Sequence, residues 1–301
     1  MWSRTSPETG TTTFTHTASG LMTQMTRSGG GVTDYAYDSV GRLKSATVGT
    51  QVLGYAYDSC TNGKGRICSA SSPGTTTGFT YEPDGRLRQR TEAITVSGVP
   101  TSHATTYAYD VVGRLGAITY PGAVATGYSY THGRLTGMTV TIGGTTSTIV
   151  AGAQYRPFGP ATGWTYGSGL TRNYNYDQNY FVGDGRLTGI TTMNGGTTLQ
   201  SLLRTYDAND RATQTTHYID TSLTQAYAYD ALNRLTAVTS PSGNQVLEWD
   251  ANGNKTRHQW TTNDLLTVST GNNRTTAMAS HGYTYSGRGN RATHTYGGSV
   301  A

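Results

Sequence analysis

Aspartate is the residue whose placement in this chain looks most like chemistry. Asp38, Asp58, Asp110, Asp177, Asp207, Asp230 and Asp250 recur along it, and a set of carboxylates invites two readings, acid–base catalysis and calcium binding. Neither fits the spacing. Glycoside hydrolysis needs two carboxylates that converge at a set separation, whereas aspartates that each open a turn in successive hairpins form a row. Calcium needs many oxygen ligands within one short loop, and none of these segments is dense in them. The histidines, His16, His103, His132, His217, His258, His281 and His294, are scattered, with no His-Glu-x-x-His and no Cys/His ligand spacing. No catalytic set, metal site or cofactor site is expected, and the chain reads as non-enzymatic. Cys60 and Cys68 are the two cysteines and flank an extended hairpin loop. Cross-strand neighbours there could meet the Cα separation of about 4.4–6.8 Å that a disulfide needs. A disulfide formed in an oxidising compartment and a pair of free structural thiols both remain open. Asn273-Arg274-Thr275 matches a glycosylation acceptor triplet, a pattern that also arises by chance in Asn/Thr-rich sequence.

The elements that carry these residues are revealed by internal similarity. Tyr35-Ala36-Tyr37-Asp38-Ser39-Val40-Gly41-Arg42-Leu43 returns as Tyr107-Ala108-Tyr109-Asp110-Val111-Val112-Gly113-Arg114-Leu115. It returns again as Tyr227-Ala228-Tyr229-Asp230-Ala231-Leu232-Asn233-Arg234-Leu235. Weaker copies run from Phe79 and Tyr81 to Gly85 and Arg86, and from Tyr128 and Tyr130 to Gly133 and Arg134. Tyr206-Asp207 reaches Arg211, Trp249-Asp250 keeps a turn at Gly253, and Tyr283-Thr284-Tyr285 keeps the tyrosine pair. In two copies a longer loop intervenes: Tyr55, Tyr57 and Asp58 precede Gly65 and Arg66, and Tyr174, Tyr176 and Asp177 precede Gly185 and Arg186. A divergent unit lies around Tyr155-Arg156-Pro157-Phe158-Gly159. The turn arginines mostly lie about 20 to 28 residues apart, a period that marks a repeat array.

Each copy reads as one hairpin. Tyrosines two apart share a strand face. Aspartate at the first turn position accepts backbone N–H bonds. Glycine or asparagine at the last tolerates the positive φ that a type I turn with a G1 bulge requires. Arginine begins the return strand, where it can pair with the turn aspartate or lie on a tyrosine ring. A lone hairpin is marginal in water, so neighbouring units must pair. Residues 14–298 are read as this array, with 1–13 as an N-terminal flank and 299–301 as a tail. The expected class is all-β, an antiparallel sheet of tandem hairpins that is coiled, spiral or closed. Leu235 and Val238 fall on opposite faces of a regular strand, so either a bulge intervenes or both faces are partly covered.

Composition agrees. Hydrophobic residues make up 34% of the 301 residues and charged residues 13%, each well below the usual share of a globular domain. Forty glycines and 22 tyrosines take their place, which suits turns and pleated surfaces. The net charge of +5 is spread out, with no localised basic footprint for nucleic acid. No stretch approaches the roughly 20 apolar residues of a membrane helix, and no signal-peptide core follows Met1.

Tyr-x-Tyr-Asp-x-x-Gly-Arg-Leu at this spacing resembles the YD repeat of the RHS family. That family includes bacterial polymorphic toxins, the cocoon-forming subunits of Tc toxin complexes and teneurin ectodomains. The resemblance implies a hollow shell of β-hairpins, in bacterial relatives one that encapsulates a toxin, is secreted or cell-surface associated, and is delivered by a specialised secretion system. Tyr155–Pro160 followed by Trp164–Gly169, and the Cys60/Cys68 loop, resemble bacterial variants. No Asp-Pro dipeptide of the kind that serves autoproteolytic release occurs here, so self-cleavage is not carried over, and the chain reads as a piece of shell wall. Expected partners are toxin cargo, further shell segments, or other copies meeting at open sheet edges. Two other readings stand beside it: a surface or secreted module that binds carbohydrate or protein through its tyrosine-rich hairpins, and a self-assembling β-repeat polymer.

Overall fold

The structure is a computed structural model that describes residues 2–7, 9–157, 159–177, 185–260, 263–286, 290–297 and 299–300. Phe158 of the divergent unit lies outside the described residues. The chain is all-β and antiparallel. Among the described residues there is no α-helix, and a single 3₁₀ turn at Thr221–Leu223 is capped by the Asp220 carboxylate, which accepts from the Ser222 amide. No helix there is long and apolar enough to cross a membrane, which says nothing of a β-barrel. The chain divides into two compact units, one of residues 1–127, 140–146 and 285–292, the other of 128–139, 147–284 and 293–301.

In the first unit, β structure begins at Trp2–Ser6, paired with Gly10–His16. The repeat then zigzags through Gly31–Tyr37, Leu43–Val48, Gln51–Tyr57, Ile67–Ser72, Thr75–Tyr81, Leu87–Val96 and Val99–Tyr109. Its connections alternate in kind. The Asp-type turns close one end of each strand pair. Two-residue turns such as Ser97-Gly98, both at positive φ, close the other, leaving Val96 paired with Val99. Positive φ at both central residues gives the twist that matches two right-handed strands. The second unit repeats the plan through Leu170–Tyr176, Leu187–Asn194, Thr197–Tyr206, Ala212–His217, Gln225–Tyr229, Leu235–Thr239 and Gln245–Trp249.

Every Asp-type turn is followed by a bulge. Tyr37 pairs with Leu43 but Ala36 with Ser45; Tyr229 pairs with Leu235 but Ala228 with Ala237. The extra residue answers the question of alternation. With Thr236 bulged out, Leu235 lies opposite Tyr229 and Val238 opposite Tyr227, so both join the tyrosine face.

Neither unit has an oil-drop core. Thr33, Ala46, Cys68 and Tyr81 in the first, and Thr192, Thr215 and Val238 in the second, are buried, and no described side chain is buried completely. Stability in such sheets must come largely from cross-strand neighbours and hydrogen bonds. That is why the contacts along the turn edge matter.

Candidate functional site

The turn edge is built in the same way in each good copy. Asp38 N–H donates to the Arg42 carbonyl (2.9 Å), and Gly41 N–H to the Asp38 carbonyl (3.1 Å). Gly41 itself sits at φ +86°. The Asp38 carboxylate turns inward. Its Oδ1 accepts the amides of Val40 and Arg42, and its Oδ2 accepts Arg42 Nε at 2.7 Å. Asp110 with Arg114, Asp207 with Arg211 and Asp230 with Arg234 repeat the bidentate arrangement. Asp177 and Arg186 keep it across their longer loop.

The outer side of each guanidinium reaches the next hairpin. Arg42 lies 4.4 Å from the centre of the Tyr57 ring and donates to Asp58. Arg211 lies 5.0 Å from the Tyr229 ring and donates to the Asp230 carbonyl and to Asn233 Oδ1. Arg234 lies over Trp249 and donates to the Asp250 carbonyl. Beneath each guanidinium, the aromatic ring donates backwards. Tyr57 OH bonds the Leu43 carbonyl, Tyr81 OH that of Ile67, Tyr109 OH that of Leu87 and Tyr229 OH that of Ala212. Trp249 does the same through Nε1 to Leu235. Cation, ring and carbonyl thus form a ladder that runs across the hydrogen-bonded strands, each rung joining one repeat to the next. Cation–π contacts of this kind gain most when partly desolvated, and these side chains are half-buried, with Tyr81 buried.

Glycine enters the ladder through space as well as φ. A Cβ on Gly85 (φ +89°) would sit 1.8 Å from Arg66 Nη2, and one on Gly113 (φ +90°) 2.9 Å from Arg86 Nη1. The arginine of one repeat lies against the glycine of the next turn.

The degenerate copies show how the rung survives substitution. At Tyr81, Glu82 occupies the first turn position, and Asp84, two residues on, bonds the Arg86 side chain and amide. Arg86 Nη1 is left buried without a partner. At Tyr130 the turn shrinks to His132-Gly133, both at positive φ. At Tyr155, Arg156 stands in the aspartate position and Pro160 in the arginine position. From there the Arg156 guanidinium lies 5.7 Å from the Tyr176 ring and reaches the Asp177 carbonyl. Arg134 meanwhile donates to the Arg156 and Gly159 carbonyls over the Tyr155 ring. At Asp250, Asn254 replaces the arginine and bonds Asp250 Oδ2.

In the pairs ending at Tyr57, Tyr81, Tyr109, Tyr176 and Tyr229, the second aromatic makes the rung, and Tyr37 OH donates to the Met22 carbonyl. Tyr35, Tyr55, Tyr107, Tyr128, Tyr174 and Tyr227 are the first members of their pairs, on the same face as the second, and are half-buried; Tyr227 OH bonds Gln225 and Thr215. Phe79 occupies the corresponding place before Tyr81 and is half-buried too. Tyr155, Tyr206, Trp249 and Arg156 belong to the ladder although sequence reasoning did not single them out as site residues. Their signal is the aromatic residue directly before the turn, whatever the turn contains. Cys60 and Cys68 form a disulfide with Cα atoms 5.4 Å apart.

Proton binding follows from these bonds. The Arg42 amide, then the Arg42 side chain and the Val40 amide, hold the Asp38 carboxyl below its ordinary value against the opposing effect of burial. Arg42 and the Gly65 amide bring Asp58 down to about 2. At Asp110 and Asp207, burial is the largest influence and pushes upward, but amide and guanidinium bonds outweigh it. A folded-state value depressed below the unfolded one, about 3.9 for aspartate, stabilises the fold above that pH. The contribution is lost as pH falls through the folded value. The Asp58 tie should therefore hold to about pH 4 and loosen between there and about pH 2, and the other turn edges, whose carboxyls are lowered too, should weaken in the same direction as pH falls below about 4. A thermal-melting series across that window checks this; a midpoint that stays level from pH 5 to pH 2 would show that the carboxylates contribute nothing.

This fold and its edge define a class of protein: a tandem antiparallel hairpin array laced by an aspartate–arginine–aromatic ladder. Residues 206–245, which contain the Asp207 and Asp230 turns, match the RHS Repeat family model. No curated protein matches it in sequence. Among solved structures it is similar to TcdB2-TccC3 without its hypervariable C-terminal region, with a TM-score of 0.84 at 17% identity over 97% of this chain. It is similar also to TcdB2-TccC3-Cdc42, with a TM-score of 0.83 at 17% identity over 97%. The Tc holotoxin pore of Photorhabdus luminescens gives a TM-score of 0.81 at 16% identity over 96%. The chain spans 18% of the length of each of these three.

Proposed function

We propose that this chain is a wall segment of an RHS-type shell, a non-enzymatic scaffold that helps to enclose toxin cargo in a secreted or cell-surface assembly. The observation that carries the reading is the ladder. Its polar groups are spent on joining one repeat to the next. The aspartates face their own turns, the guanidiniums cover the rings, and the phenols are tied to backbone carbonyls. On this reading residues 14–298 act as one array, with Asp, Gly or Asn shaping the turns, tyrosines packing the repeats and arginines tying them laterally. Its partners are cargo and further shell segments, and the similarity in fold to Tc toxin structures supports this choice. The alternative of a glycan-binding module asks for open aromatic faces, and rings lying beneath arginines serve it poorly.

Protease protection tests the proposal. In the full-length product, polypeptide continuous with this chain should resist trypsin until the wall is unfolded, then be cut rapidly. Immediate cleavage in the native state, together with saturable glycan binding lost on Tyr37→Ala, would replace the shell with a surface module.

A further inference from the structure

Two histidines near the C-terminus stand outside the ladder and face each other. His281 begins the strand His281–Tyr285 and His294 lies in Arg291–Tyr296. His281 Nδ1 and His294 Nε2 are 2.8 Å apart. The ring centroids are 5.0 Å apart and the planes are inclined by only 15°. That centroid separation is close to the N···N distance plus two ring radii. The two nitrogens therefore lie between the ring centres, edge to edge, and point at each other. The Tyr283 ring lies parallel to His294 at 5.3 Å, and the Tyr296 ring packs on His281 at 4.8 Å. These rings flank the pair, and both imidazoles stay half-buried and within reach of solvent.

A neutral imidazole offers one N–H and one lone pair, so the gap between these nitrogens holds one shared proton. A metal ion can take that proton's place, because neutral imidazole is a common metal ligand through either nitrogen. We propose that His281 and His294 form a two-imidazole site for a divalent transition-metal ion of the copper, nickel or zinc type. The atoms balance without an added reagent. The ring that carries hydrogen at the gap moves it, through water, to its remote nitrogen, and both facing lone pairs become donors. With metal–nitrogen bonds of about 2.0–2.1 Å in a tetrahedral shell, the nitrogens need to stand about 3.4 Å apart. Binding therefore asks for an opening of roughly half an ångström and a turn of each ring by about 35°, so that both lone pairs meet a metal lying off the N···N line. Among the described residues no cluster of three or more His, Cys, Asp or Glu exists to make a protein-only shell, so water fills the remaining positions. Nitrogen donors exclude calcium and magnesium, which prefer oxygen, and favour copper over zinc.

Titration calorimetry of the whole chain near pH 7.5 with Cu²⁺, Ni²⁺ and Zn²⁺ tests the site. One saturable event is expected, tightest for copper. His281→Ala and His294→Ala should each weaken it at least about tenfold, about 1.4 kcal/mol, while His16→Ala and His132→Ala leave it unchanged. Because an alanine there could also unsettle the hairpin, the unmodified protein supplies a second readout: substoichiometric Cu²⁺ should broaden the imidazole resonances of His281 and His294 before those of the other histidines. Binding that survives both substitutions, equal uptake of Ca²⁺, or broadening that begins elsewhere would overturn the proposal.

Discussion

Tyr229→Ala is expected to lower the stability of the 206–245 segment by about 2–3 kcal/mol, toward the low end for a large aromatic truncation because the ring is half-buried. Three contacts end at this ring: stacking under Arg211, the phenol bond to the Ala212 carbonyl at 2.9 Å, and the face shared with Leu235 and Val238. Tyr229→Phe removes only the second and should cost about 1 kcal/mol. Arg211→Ala leaves the ring but strips its cover, together with the tie to Asn233. Arg211→Lys should recover only part of the loss, because an ammonium lacks the planar fork that serves Asp207 and the Asp230 carbonyl together. Repeat arrays can unfold in parts. Amide exchange in Ala212–His217 and Leu235–Thr239 is therefore the sharper measurement, with urea unfolding beside it. If Tyr229→Phe were as damaging as Tyr229→Ala, the ring's stacking would carry no weight and the ladder would reduce to a hydrogen bond.

The second large effect lies at Cys60 and Cys68. Loss of a cross-link across so short a loop should cost about 2–3 kcal/mol on the chain-entropy account. The loop is more than a closed ring, because it docks on the next repeat. Thr61 contributes its carbonyl to the Tyr81 amide at 3.1 Å, and Asn62 Nδ2 donates to the Tyr81 carbonyl at 2.8 Å. Gly63 leaves no room for a side chain, since a Cβ there would lie 2.3 Å from Cys60 Sγ and 2.5 Å from Cys68 Sγ. Reduction, or the paired change Cys60→Ser and Cys68→Ser, should release the Tyr81 amide to exchange and lower the urea midpoint. Gly63→Ala should do the same without removing a sulfur. An unchanged Tyr81 amide after full reduction would mean that the docked loop holds its shape without the bond.

Much of this edge was legible in the residues. Tyr37, Asp38, Gly41 and Arg42 recur at fixed offsets, and each type has a local reason to be there. A carboxylate reaches backbone amides two and four residues on. A glycine tolerates positive φ. Such contacts lie within a few residues, so spacing alone exposes them. Other parts were not legible. The bulge after each turn decides that Leu235 and Val238 share a face, and a bulge leaves no residue-type signature at Thr236. The transfer of the guanidinium from the fifth turn position to the first at Arg156 hides one rung inside a segment that reads as divergent. The direction of the ladder, from Arg211 to Tyr229 and from Tyr229 back to Ala212, depends on which strand lies beside which.

By itself, then, the sequence determined the all-β class, the hairpin as the unit and the chemistry of each turn, because these depend on φ, on alternation and on hydrogen bonds within reach of one short segment. Tertiary structure alone decided which ring each arginine covers, that Cys60 and Cys68 are bonded, and that His281 and His294 point at each other. Those contacts join residues 8 to 22 positions apart, and their geometry is set by strand register and bulges, which no local pattern encodes.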